Sequence, residues 1–154
     1  MKAEYINPFL TSAVTAFDTM LGCKLHRGTP YVKDCGRPEH EVSGMIGLSG
    51  KARGTVVLSL SREAALNVTA VLLEEHPTEI NADVADAVGE LTNIIAGGAK
   101  SKLEHLDMSI GLPTVITGKC HCVDFPTKVT PICIPFESEW GLITVEVGLI
   151  EDPT

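Results

Sequence analysis

Glu90 and Asn93 stand three residues apart within residues 80–106, where Ile80, Val84, Ala87, Val88, Leu91, Ile94 and Ile95 recur with the period of a helix rather than a strand. Side chains three apart on a helix are neighbours, so a carboxylate and a carboxamide share one face. Asp86, Gly97, Lys100 and Glu104 fall on that same face, nearly opposite the apolar stripe. Asparagine is a poor helix former, and a mid-helix glycine costs roughly 1 kcal/mol against alanine, a cost that Gly98 repeats. A bare glycine lets another surface approach the backbone closely. The combination points to a docking face with chemistry in it; the blander reading is a solvated polar face carrying an E-x-x-N pair by chance.

Other candidates are weaker. Glu4-Tyr5-Ile6-Asn7 is also an E-x-x-N. Asn7-Pro8, however, looks like an N-cap followed by a first-turn proline; if Asn7 caps the helix, Glu4 lies before it, the two share no helical face, and the pair is a decoy. Cys120-His121-Cys122 lacks the second cysteine pair of a structural zinc site, and Cys35 and His40 are too loosely placed to complete one. Five cysteines, an odd number, make no disulfide framework in a chain of 154 residues, and ordinary reduced thiols are expected. Residues 44–54 are glycine-rich but lack the lysine-then-Ser/Thr step of a phosphate-binding loop, and no helix starts after them. No Ser-His-Asp set can be argued from scattered hydroxyls, and His105 suits a helix C-terminus without a catalytic role.

The elements that must position the face follow from patterning. Residues 4–22 form a first helix closed by Gly22. Strands are expected over 24–33, 41–48 and 52–60, the last two joined by a Ser49-Gly50-Lys51 hairpin. A helix capped by Ser61 runs through Glu75, and strands follow the long helix near 109–118, 129–136 and 142–149. Helix plus three strands thus occurs twice, with a local echo between Lys51-Ala52-Arg53-Gly54-Thr55-Val56-Val57 and Ser138-Glu139-Trp140-Gly141-Leu142-Ile143-Thr144. An internally duplicated α+β domain with an antiparallel-rich sheet is the implied fold, a single domain over 1–154. Net charge of −8 argues against nucleic acid or an anionic membrane as partner. No signal-like N-terminus or long apolar run occurs, so a cytoplasmic protein is expected.

Asp86-Ala87-Val88-Gly89-Glu90-Leu91-Thr92-Asn93-Ile94-Ile95-Ala96-Gly97 resembles the signature helix of the CheC/CheX/FliY phosphatases of bacterial chemotaxis. Their pattern is D/S-x-x-x-E-x-x-N followed some twenty residues later by a proline; Pro113 in Gly111-Leu112-Pro113-Thr114-Val115 matches, one or two residues early. Lys102-Leu103-Glu104-His105-Leu106 continues in a CheX-like way, and a single motif, with the decoy set aside, is the CheX-type arrangement. The resemblance implies hydrolysis of the aspartyl phosphate on a phosphorylated CheY-like response regulator. Asn93 would orient the attacking water and Glu90 would pair with the receiver's lysine, while Asp86, Gly97 and Pro113 would belong to the docking surface. The chain itself needs no cofactor, because the receiver brings Mg²⁺. CheX-type relatives are dimers, so a homodimer is expected. An exposed edge of the C-terminal strands, where Val145 and Val147 alternate with Thr144 and Glu146, is the expected contact. The competing reading is a non-catalytic module that binds a receiver or a flagellar switch component.

Overall fold

In the computed structural model, residues 3–32, 40–119, 121, 123, 125 and 130–151 are described. Helix α1 (Ala3–Leu21) buries Tyr5, Ile6, Phe9, Leu10, Ala13, Ala16, Phe17 and Leu21 along one stripe and ends at Gly22, whose φ of +64° suits glycine. Helix α2 (Arg62–Leu73) starts at Ser61, whose hydroxyl accepts from the Ala64 N–H. Helix α3 (Ala82–Ser101) starts at Asn81, whose side-chain oxygen accepts from the Val84 N–H at 3.0 Å. Asp83 in its first turn and Lys100 in its last both complement the helix dipole.

The strands are β1 (His26–Arg27), β2 (Tyr31–Val32), β3 (Val42–Ser49), β4 (Ala52–Leu60), β5 (Ser109–Ile110), β6 (Thr114–Thr117), β7 (Ile132–Ser138) and β8 (Gly141–Glu151). They form one antiparallel sheet in the order β1-β7-β8-β4-β3-β5, with β2 also on β7 and β6 also on β3. The expected duplication is visible in this order. Strands β4 and β8, one from each half, pair along the centre, and the broken first strand of each half crosses to the outer side of the other half. Alternate strand residues, among them Ile46, Val56, Leu58, Ile134, Phe136, Val145 and Val147, join the helices in one apolar core. The opposite face carries Ser43, Val57, Ser59, Thr144 and Glu146, also buried.

Several boundaries differ from those read in the sequence. The helix expected over 80–106 ends at Ser101 and continues only as a 3₁₀ turn, Glu104–Leu106. The Lys102 N–H bonds back to Ala99 and Lys100, and Asp107 takes a left-handed φ of 46°. The chain must reverse here to lay Ser109 against Ser49, and tightening the last turn achieves it. Asn7 and Pro8 are not a cap, because they lie inside α1. Proline removes one backbone donor there, yet burial of Tyr5 and Ile6 holds the turn that precedes it. Strand 24–33 is broken into β1 and β2, and strand 109–118 into β5 and β6, each at a Gly-x-Pro. The helix from Ser61 stops at Leu73, with Glu74 at φ 53°. The strand expected over 129–136 is β7, running to Ser138, and residues 126–129 lie outside the described residues. Over residues 143–147, which include the expected contact, strand β8 offers no edge for a second copy: it is bonded on both sides, to β4 and β7, and Thr144 and Glu146 are buried rather than half-exposed.

Candidate active site

Thr92 fixes the height of α3 above the sheet. Its hydroxyl donates to the Val88 carbonyl at 2.7 Å, and its side chain presses onto Gly44 of β3, where a Cβ would fall 2.1 Å from Thr92 Oγ1. Only a glycine at this strand position allows the helix so close. Along the other flank Ser12 of α1 donates to the Ile95 carbonyl at 2.7 Å, and a Cβ on Gly98 would lie 2.3 Å from Ser12 Oγ. With Val84, Val88, Leu91 and Ile95 buried below, the rotation of α3 is set.

That rotation turns Asp86 and Glu90 to solvent and leaves Asn93 and Gly97 half-exposed on the same side. Among the described residues nothing hydrogen-bonds to the Asn93 carboxamide or pairs with the Glu90 carboxylate. The three glycines of α3 separate by what they face. Gly98 is packed against α1. Gly89 is packed against Val115 and Pro113, whose ring carbons would lie 3.7 and 3.8 Å from a Cβ there. Among the described residues, a Cβ on Gly97 would meet nothing within 4 Å, so packing against them does not account for that glycine. Pro113 is therefore beside the turn that carries Glu90, and all five residues singled out in the sequence lie along one flank of α3 and the loop next to it. Beyond Gly97 the face opens into a hollow of about 540 Å³ lined by Gly97, Lys100, Ser101, Glu104, Asp107, Met108 and Ser109. Glu104 reaches that hollow from the 3₁₀ turn, not from α3 itself. Periodicity alone could not show Gly89 as the seat of Pro113, because the contact joins segments more than twenty residues apart.

The remaining candidates resolve differently. Glu4 and Asn7 share helix α1 after all, both exposed, so the reason given for setting them aside does not hold. The next turn there presents an exposed Thr11 where α3 presents the bare Gly97. Cys35, Cys120 and Cys122 lie outside the described residues. His40 Nε2 meets Thr144 Oγ1 at 2.8 Å. His121 donates from Nδ1 to the Gly118 carbonyl at 2.6 Å, so in its neutral form Nε2 accepts from Ser43. Among the described residues no three of His, Cys, Asp and Glu gather as a metal set. Cys23 and Cys133 are buried free thiols. Burial pushes the Cys23 thiol up, the nearby Glu139 carboxylate adds to this, and a hydrogen bond with Ser138 opposes it.

A carboxylate and a carboxamide presented together can orient a water and grip a cation on a partner. The family model described as chemotaxis phosphatase CheX matches residues 42–137. The CheY-P phosphatase CheX of Thermotoga maritima is 29% identical over 122 residues, covering 77% of this chain and 79% of that protein. The crystal structure of chemotaxis protein CheX from Vibrio vulnificus superposes with a TM-score of 0.88 at 34% identity, covering 96% of this chain and all of that one (100%). In the CheX-CheY-BeF₃-Mg²⁺ complex from Borrelia burgdorferi, the matching chain is 26% identical with a TM-score of 0.82, covering 97% of this chain and 100% of that one.

Proposed function

The chain belongs to the chemotaxis phosphatase CheX family, and from that premise we propose that it hydrolyses the aspartyl phosphate of a CheY-like response regulator. The observation that carries this reading is the pair Glu90 and Asn93, on one open flank of α3 and without partners among the described residues. Hydrolysis breaks the bond between the phosphorus and the receiver's carboxylate oxygen as a water oxygen adds to the phosphorus. The proton that leaves the water passes to a phosphate oxygen or to solvent, and the products are inorganic phosphate and the free carboxylate. Such a transfer needs an aligned nucleophile and charge stabilisation more than covalent work. Asn93 orients the water, since its amide both donates and accepts. Glu90 pairs with the receiver's lysine and sets the register of docking. Asp86, Gly97 and Pro113 complete the surface, with Gly97 leaving room for the receiver's backbone. The receiver supplies the acyl phosphate and Mg²⁺; we assign no metal to this chain. We propose the cytoplasm as the compartment in which it acts. Among the described residues no helix is long and apolar enough to cross a membrane. A second copy of the chain is proposed as a further partner.

The test is single-turnover decay of a phosphorylated CheY-like receiver with saturating protein. Decay well above the receiver's own rate is expected, and decay at that rate in the presence of bound protein would favour the binding-module reading instead.

A further inference from the structure

We infer that Leu112 is the apolar anchor by which the site holds its receiver, a reading that rests on the function proposed above. Strand β5 pairs with β3 through Leu48 and Ile110, and β6 pairs with β3 through Met45 and Thr114. Between these points Gly111, Leu112 and Pro113 face only Ile46 and Gly47. One extra residue is a β-bulge, a device that ejects or re-aims a side chain. The bulge is held at both ends: the Gly111 N–H donates to the Gly47 carbonyl at 2.9 Å, and Pro113 sits on Gly89. Leu112 between them is 91% exposed.

The other half of the molecule supplies an internal control. Arg27 pairs with Phe136 and Tyr31 with Cys133, so Gly28, Thr29 and Pro30 face only Ile134 and Pro135. The Gly28 N–H donates to the Pro135 carbonyl at 2.8 Å, as Gly111 does to Gly47. The same Gly-x-Pro bulge therefore forms with an exposed threonine in the middle. Folding does not require a leucine at that position. Leucine occurs only in the copy whose proline packs against the turn bearing Glu90. Because the bulge already fixes the backbone, docking of this side chain orders little further main chain. Its place next to Pro113, which packs on Gly89 in the turn that bears Glu90, commits it to the partner that this turn engages. The receiver would present a small apolar depression beside its phosphorylated aspartate, which this side chain fills.

The experiment uses a CheY-like receiver loaded with beryllofluoride and Mg²⁺ for binding, and the phosphorylated receiver for single-turnover decay. Leu112→Thr copies the residue of the other bulge and should fold unchanged, which a thermal melt checks. It should raise Kd by about tenfold to a hundredfold, the range expected for burying one leucine side chain, with the rate constant at saturation within about twofold. Leu112→Met should restore most of the affinity. Unchanged Kd in Leu112→Thr overturns the anchor, as does a changed oligomeric state with unchanged Kd, which would assign the leucine to a second copy. If wild type binds without hastening decay while Leu112→Thr binds more weakly, the phosphatase reading falls and the anchor stands. If wild type does not bind, both fall.

Discussion

Gly97 opposes two demands that one substitution separates. Its place in mid-helix weakens α3, and no described atom would meet a Cβ there. Gly97→Ala should therefore raise stability by about 0.5–1 kcal/mol, read as a higher melting temperature. If the receiver's backbone approaches that spot, the same change should weaken receiver binding several-fold; equal binding beside raised stability would remove Gly97 from the docking surface. Glu90→Lys sets like charges against each other if a receiver lysine is the partner, and should weaken docking by a few kcal/mol. Glu90→Gln should do less harm, and unchanged affinity of Glu90→Lys would count against the pairing. Neither should unfold the protein, since Glu90 is exposed. Asn93→Ala addresses the chemistry. A group that positions water acts more on the transition state than on ground-state binding, so the single-turnover rate constant should fall by about 10²-fold or more, by analogy with losing one preorganised polar group. Affinity should stay within a few-fold, and α3 should be no less stable, because alanine is the better helix former. A wild-type rate in Asn93→Ala would take the water-positioning role away from it.

These roles depend on where α3 lies, and that is decided by its contact with β3. A methyl at Gly44 collides with Thr92, so Gly44→Ala should cost about 1–3 kcal/mol and slow hydrolysis by lifting Asn93 from its position. Thr92→Ala in the same chain should recover part of the loss, a non-additivity that a double-mutant cycle measures; simple additivity would mean that the two residues are not in the contact described. The stripe of α3, the whole of β4 and the Ser61 cap were legible in the sequence because each is a local pattern with a local cause. The Asn7-Pro8 cap misled because a cap signal competes with tertiary burial, and Tyr5 and Ile6 win. The breaks at Gly28–Pro30 and Gly111–Pro113 were hidden for another reason: a bulge is a property of register against a partner strand, and register is absent from a one-dimensional pattern. Alternation in β8 likewise predicted a half-buried strand, whereas pairing on both sides and cover on both faces bury its polar residues too. In the candidate site the helical residues were readable from spacing. The seat of Pro113 on Gly89 and the exposure of Leu112 arise only when β6 is laid beside α3.

At the scale of the molecule, the sheet decides which surface is left for a second copy. With β8 and β4 in the centre, the outer strands are β1 and β2 on one side and β5 and β6 on the other. The second of these carries Pro113 and Leu112 beside the proposed catalytic pair, so self-association there would compete with the receiver. The first is remote in sheet order from β3 and α3's contact with it, and its Val32 is 66% exposed. Unpaired backbone at a sheet edge is a template for another strand, and a charge on the edge opposes such pairing. A homodimer that still works on a receiver should accordingly join through the β1 and β2 side. Light scattering at tens of micromolar should give twice the monomer mass for wild type, and Val32→Lys should shift it toward monomer. Exposure of Val32 means that the substitution empties no core position, so the melting temperature of the monomeric unit should change little. Single-turnover decay by Val32→Lys should remain near the wild-type rate, because α3 and the Leu112 bulge lie at the other end of the sheet order. A wild type that is monomeric at these concentrations removes the dimer altogether. A Val32→Lys protein that stays dimeric assigns the contact to another surface, and one that becomes monomeric and loses hydrolysis would show that the site is incomplete within one copy.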